Sequence, residues 1–98
     1  MKKIVGLFFA VTLSFSLFSQ TTISGNITDA NTGEALIGAT VIFGKGQGTA
    51  TDFDGNYSFK IHEGERSLKV SYVGYKEISK TITVGKTPQT LNFKLKTV

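Results

Sequence analysis

Several groupings in this 98-residue chain have the residue types of a reactive or metal-binding site. Asp52, Asp54 and Asn56 occupy alternate positions, and Glu63 falls eleven residues after Asp52, which is calcium-loop spacing. Such a loop requires glycine at its sixth position so that the chain can bend around the ion, and that residue is Tyr57. From Tyr57 onward, Phe59 and Ile61 alternate with Ser58 and Lys60, the period of a half-buried strand. A strand cannot wrap a cation. Asp52–Asn56 is therefore read as a structural turn with Asp54-Gly55 at its tip, because glycine takes positive φ cheaply and aspartate bonds to nearby backbone. His62 and Glu65 copy the spacing of a zinc-ligand pair. Zinc catalysis needs a third protein ligand beside an open position, and the chain has one histidine and no cysteine. No metal and no cofactor are expected.

The remaining chemistry is equally thin. Serine, threonine and tyrosine are plentiful, but no nucleophile elbow and no Ser/His/Asp spacing is present. Gly44–Gly48 lacks the Gly-Lys-Ser/Thr ending of a phosphate loop. Asn26-Ile27-Thr28 and Asn56-Tyr57-Ser58 are formal glycosylation sequons lying in strand or turn, and are read as chance. Phe53, Tyr72 and Tyr75 could make an aromatic platform for a sugar or a partner. The plainer reading places Tyr72 in the core and the other two at sheet edges. The chain is not expected to be an enzyme.

The elements that must hold these residues follow from pattern. Met1-Lys2-Lys3 precedes an apolar run from Ile4 to Phe18, with small residues near its end. That is the form of a secretory signal helix, short for a membrane span, with the cut expected between Ser19 and Gln20. Residues 20–98 then carry nine basic and seven acidic side chains, and their lysines are scattered singly between apolar positions. No basic cluster invites nucleic acid. Without cysteine, an exported domain of this size relies on its core alone.

Within 20–98, seven short strands separated by turn signals predict an all-β sandwich. Thr21–Asp29 and Thr40–Phe43 are the first two, joined through the turn cluster Asp29–Glu34. Gly44–Gly48 is expected to be a mobile connector. Thr49–Asp52 and Tyr57–Ile61 are expected to form a central hairpin. A fifth strand carries Leu68, Val70 and Tyr72, and Gly74 after it signals a bulge or a close backbone approach. Tyr75–Val84 reads as an edge strand, where Lys76 and Lys80 discourage indiscriminate pairing yet leave the backbone open to a partner. Leu91, Phe93 and Leu95 close the domain.

Gly25-x-Ile27-x-Asp29, Gly33–Val41 with Gly38, Gly48–Phe59 and Val70–Tyr75 with Gly74 together resemble the carboxypeptidase regulatory-like domain. The resemblance covers essentially all of residues 20–98, with Ala35 where the family often has proline. It implies a seven-stranded, transthyretin-like or Ig-like Greek-key sandwich. It also implies the N-terminal extension of SusC/RagA-type TonB-dependent outer-membrane receptors of Bacteroidetes-type bacteria. The expected place is then the periplasm or outer membrane, with a downstream plug and barrel or a periplasmic protein as partner. A free-standing periplasmic or surface module that binds a glycan or a protein is the alternative.

Overall fold

A computed structural model describes residues 20–98, so the signal-peptide reading of residues 1–19 lies outside the described residues. Eight strands make up the fold: β1 (Gln20–Asp29), β2 (Thr40–Gly44), β3 (Gln47–Ala50), β4 (Asn56–His62), β5 (Gly64–Ser71), β6 (Ile78–Val84), β7 (Gln89–Thr90) and β8 (Phe93–Leu95). Among the described residues there is no helix, and hence none long and apolar enough to cross a membrane. Two sheets face each other. One places β1 between β4 and the pair β7 and β8, and the other runs β3-β2-β5-β6. The all-β sandwich is as expected.

Side-chain alternation explains why the sheets stack. Tyr57, Phe59 and Ile61 on β4 are buried, while Ser58 and Lys60 between them face water. Ile23 and Ile27 of β1, Val41 of β2, Leu68 and Val70 of β5, and Leu95 of β8 form the fully buried centre. Each such side chain contributes about 1.5–3 kcal/mol on leaving water. Across the sandwich, the rings of Phe43 on β2 and Phe59 on β4 stack with centroids 4.1 Å apart and planes 3° apart.

Three expectations are corrected. Thr49–Asp52 and Tyr57–Ile61 do not form a hairpin: β3 pairs antiparallel with β2, and β4 pairs antiparallel with β1 in the opposite sheet. The Asp-Gly turn lies where the chain crosses between sheets, because β1 offers β4 a seven-residue register that the short β3 cannot match. Gly44–Gly48 is a tight β2–β3 connection with a register shift between Ile42 and Gly44, and Gly48 pairs within β3. The seventh strand is two pieces, both parallel to β1.

The break between β7 and β8 has a definite cause. The Leu91 N–H donates to the Ser24 carbonyl, which turns the Leu91 carbonyl toward Gly25 and the Tyr57 hydroxyl, 2.6 Å away. A Cβ at Gly25 would lie 1.7 Å from that carbonyl oxygen. Only glycine lets the closing segment approach so nearly. Gly25→Ala is expected to detach β7 and β8 from β1, seen as loss of amide-exchange protection at Ile23 to Asp29. Wild-type protection there would refute the close approach.

Candidate functional site

Gly33, Gly38, Asp52, Asp54, Gly55, Gly74 and Tyr75 gather at the end of the sandwich where β1 finishes and β2, β4 and β6 begin. The crossing between sheets is built first. Thr51, buried although polar, accepts the Ala39 N–H on its hydroxyl at 2.9 Å and donates that hydroxyl to the Leu36 carbonyl. Its backbone accepts from Gly38 and donates to Ala39. The Asp52 carboxylate then accepts the N–H groups of Asp54 and Asn56, both at 2.9 Å through Oδ1. The Asp52 and Gly55 N–H groups close the loop on the Asn56 and Asp52 carbonyls. One oxygen of Asp52 thus holds a turn together. Among the described residues, no three His, Cys, Asp or Glu side chains gather around a point where a metal could sit.

Gly55 takes φ 79°, as its place at the tip requires, and a Cβ there would come within 2.8 Å of the Ile27 carbonyl and 3.0 Å of Ala35 Cβ. Gly33, Gly38 and Gly74 also have positive φ. Gly74 marks neither a bulge nor a close approach, since a Cβ there would meet nothing within 4 Å; it shapes a turn in which the Tyr75 N–H donates to the Tyr72 carbonyl. His62 and Glu65 flank the β4–β5 turn at the opposite end, where Arg66 donates to the carbonyls of His62 and Glu63. The two sequon asparagines bond each other: Asn26 Nδ2 donates to Asn56 Oδ1 at 3.1 Å and to the Asp54 carbonyl at 3.3 Å.

The pair that motif reading missed is Asp29 with Tyr75. Asp29 Oδ1 accepts the N–H groups of Asn31 and Thr32, and Oδ2 accepts the Tyr75 hydroxyl at 2.7 Å. The tyrosine hydroxyl, helped by those two backbone donors against the cost of burial, holds the Asp29 carboxyl below its ordinary range. The same bond to Asp29, with burial, pushes the Tyr75 hydroxyl up to about 12. Tyr75 lies against Tyr72, ring centroids 5.6 Å apart, and both are half-buried, whereas Phe53 stands in solvent. The three do not form one platform.

The expected partner edge is shorter than Tyr75–Val84. Tyr75 bridges to Thr97, and the Lys76 N–H donates to the Lys96 carbonyl at 2.7 Å, so the chain's own last residues occupy that part. From Ile78 to Val84, β6 is an edge strand paired only with β5, and Lys80 is exposed opposite Leu68.

Residues 23–98 match the family model of the CarboxypepD_reg-like domain. The chain belongs to this family. It is 40% identical over 76 residues to the TonB-dependent receptor SusC of Bacteroides thetaiotaomicron, covering 76% of this chain and 7% of that receptor. It is 28% identical over 86 residues to the TonB-dependent receptor P3 of Formosa agariphila, covering 87% of this chain and 8% of the other. The chain thus spans less than a tenth of the length of either receptor. Structural protein 27 of a virus (isolate Australia/Victoria) is 35% identical over 77 residues, 79% of this chain and 15% of its own length. Among solved structures, the Bacillus anthracis TIE protein superposes with a TM-score of 0.68 at 21% identity, covering 82% of this chain and 17% of that one. A chain of the cohesin–X-dockerin complex of Acetivibrio cellulolyticus gives 0.60 at 22% identity, covering 74% of this chain and 52% of its own. At such identities these two structures show a common sandwich fold.

Gly55→Val is expected to cost about 1–3 kcal/mol through backbone strain, read as a lower urea midpoint; an unchanged midpoint would contradict the turn geometry. The Asp29–Tyr75 pair gives stability a pH dependence at both ends. Because the folded carboxyl lies low, its contribution is present above about 3.9, the unfolded value, and is lost as pH falls through the lowered one. Because the folded hydroxyl lies near 12, its contribution is present below 10 and lost as pH rises from 10 through about 12. Tyr57, pushed up to about 12 by burial, adds to the alkaline arm. Asp29→Asn should flatten the acid arm of urea midpoint against pH, and Tyr75→Phe part of the alkaline arm. An Asp29→Asn acid arm parallel to wild type would show that the carboxylate is not so coupled.

Proposed function

We propose that residues 20–98 are the periplasmic N-terminal domain of a TonB-dependent outer-membrane receptor, exported by residues 1–19 and acting in docking or signalling with no catalytic step of its own. The observation that carries this reading is the 40% identity to SusC, spread over 76 residues of the sandwich rather than over one motif. The geometry supports a binding role. The conspicuous polar side chains, Asp52, Asn26, Asn56 and Asp29, are engaged with backbone and with one another. Among the described residues, no buried side-chain nitrogen or oxygen lacks a hydrogen-bond partner. What the surface does offer is backbone: β6 from Ile78 to Val84 can take an added strand from a periplasmic protein. Cargo would be chosen elsewhere, in the plug and barrel.

A second reading, a free-standing envelope module for a glycan or a protein, is favoured by the similarity to a viral structural protein, which is a different kind of molecule from a receptor. The reading frame past Val98 separates the two. In a receptor carrying this domain, deletion of residues 20–95 should leave the barrel in the membrane and impair uptake or its regulation. Uptake and regulation both at wild-type level would remove the docking role. Loss of the barrel itself would assign the domain to assembly.

A further inference from the structure

Five large hydrophobic side chains are exposed among the described residues: Ile37 (48%), Ile42 (39%), Phe53 (84%), Val73 (92%) and Val98 (83%). Single exposed hydrophobic residues are ordinary, but their distribution here is not even. Strand register places four of the five at one end. Thr40, two residues after Gly38, pairs with both Ala50 and Ser71, so the segments holding Ile37, Phe53 and Val73 leave the second sheet together. The Gly38 N–H donates to the Thr51 carbonyl, which fastens the Ile37 loop beside the Phe53 turn. The Val98 N–H donates to the Gly74 carbonyl at 3.1 Å, setting the last residue beside Val73. A hollow lined by Gly38, Thr40, Ser71, Tyr72 and Val73 opens at this same end. The opposite end, with the 44–47, 62–66 and 85–88 connections, holds Lys45, His62, Glu63, Arg66 and Lys86 and none of the five.

We infer that the end bearing Ile37, Phe53, Val73 and Val98 is an interface, and that its occupant is the folded body that follows this domain in a receptor. This rests on the receptor reading above. Two observations select that occupant. The chain's last residue is hydrogen-bonded into the apolar end, so a polypeptide continuing from it starts against these side chains. The receptors it resembles are more than ten times its length, which supplies a body to cover them. The chemistry fits a protein surface, since an exposed phenylalanine among aliphatic side chains on a polar rim is the composition of an interface core. The domain would then sit docked on the receptor rather than trail from it.

The test uses the receptor whose reading frame continues past Val98, with Phe53→Ser and Val73→Ser combined and Ile42→Ser as control. Both substituted side chains stand in loops, so the sandwich should keep its urea midpoint. Cleavage tracks the population of an open form, so limited proteolysis just after residue 98 should be about ten-fold faster in the double variant than in wild type or Ile42→Ser. Should the double variant fail to fold, Val73→Ser alone is read in the same way. Equal cleavage in all three proteins would overturn docking and leave the receptor reading intact. A reading frame that stops at Val98 would remove the receptor reading and the occupant with it. Self-association of residues 20–98 through Phe53 and Val73, seen by sedimentation, would also overturn the proposal by making a second copy the occupant.

Discussion

A chain that leaves one sheet for the other must satisfy the backbone groups it strips from the first ladder before it enters the second. In this sandwich that demand falls on Thr51 to Asn56. Thr51 fastens the departing strand to the Leu36–Ala39 loop with its hydroxyl and both of its backbone groups. Asp52 then supplies a carboxylate oxygen to the N–H groups of Asp54 and Asn56. An unpaired buried peptide group costs on the order of 1–3 kcal/mol, so the buried Thr51 hydroxyl, bonded to Ala39 and Leu36, is explained by the crossing itself, while the Asp52 bonds close its exposed side. With the corner closed, β4 is delivered to β1 in the register that buries Tyr57, Phe59 and Ile61.

From that crossing the remaining architecture follows through β1. It pairs on one side with β4 and on the other with the closing segment, and its glycine at position 25 admits the Leu91 carbonyl. Its last residue, Asp29, caps the following turn and holds the Tyr75 hydroxyl. The first strand therefore ties three distant parts of the chain together. The candidate surface at the end where β1 finishes is a by-product of the same ties: loops anchored on their polar groups present their apolar side chains outward.

Much of this was legible in the residues. Alternation in Tyr57–Ile61 gave a strand and its buried face without reference to any partner, because a period of two is a local property. Asp54-Gly55 gave the turn and the positive φ. What alternation cannot give is the pairing partner. Two extended runs around Asp-Gly meet every local condition for a hairpin, and the outcome depended on β1, thirty residues upstream, offering the longer ladder. The split of β7 from β8 was hidden because its cause is the missing side chain of Gly25, more than sixty residues away. Asp29 and Tyr75 are 46 residues apart, and each alone looks like an ordinary turn residue and an ordinary aromatic. The spacing of Asp52, Asp54 and Asn56, by contrast, reads as architecture because Tyr57 stands where a calcium loop needs glycine, and Asp52 Oδ1 accepts two backbone N–H groups of the turn.

The parallel course of β1 and β8 has a mechanical consequence. Ile27, Thr28 and Asp29 lie beside Phe93, Lys94 and Leu95, with both strands running the same way. The chain enters at the start of β1, at one end of the sandwich, and passes out beyond β8 at the other. Tension applied along the chain would pull these neighbours lengthwise past each other, so that their hydrogen bonds bear the load together. An antiparallel pair pulled from one end parts one bond at a time, like a zip. In a domain strung in this way, force along the chain must shear the β1–β8 ladder before it can peel it.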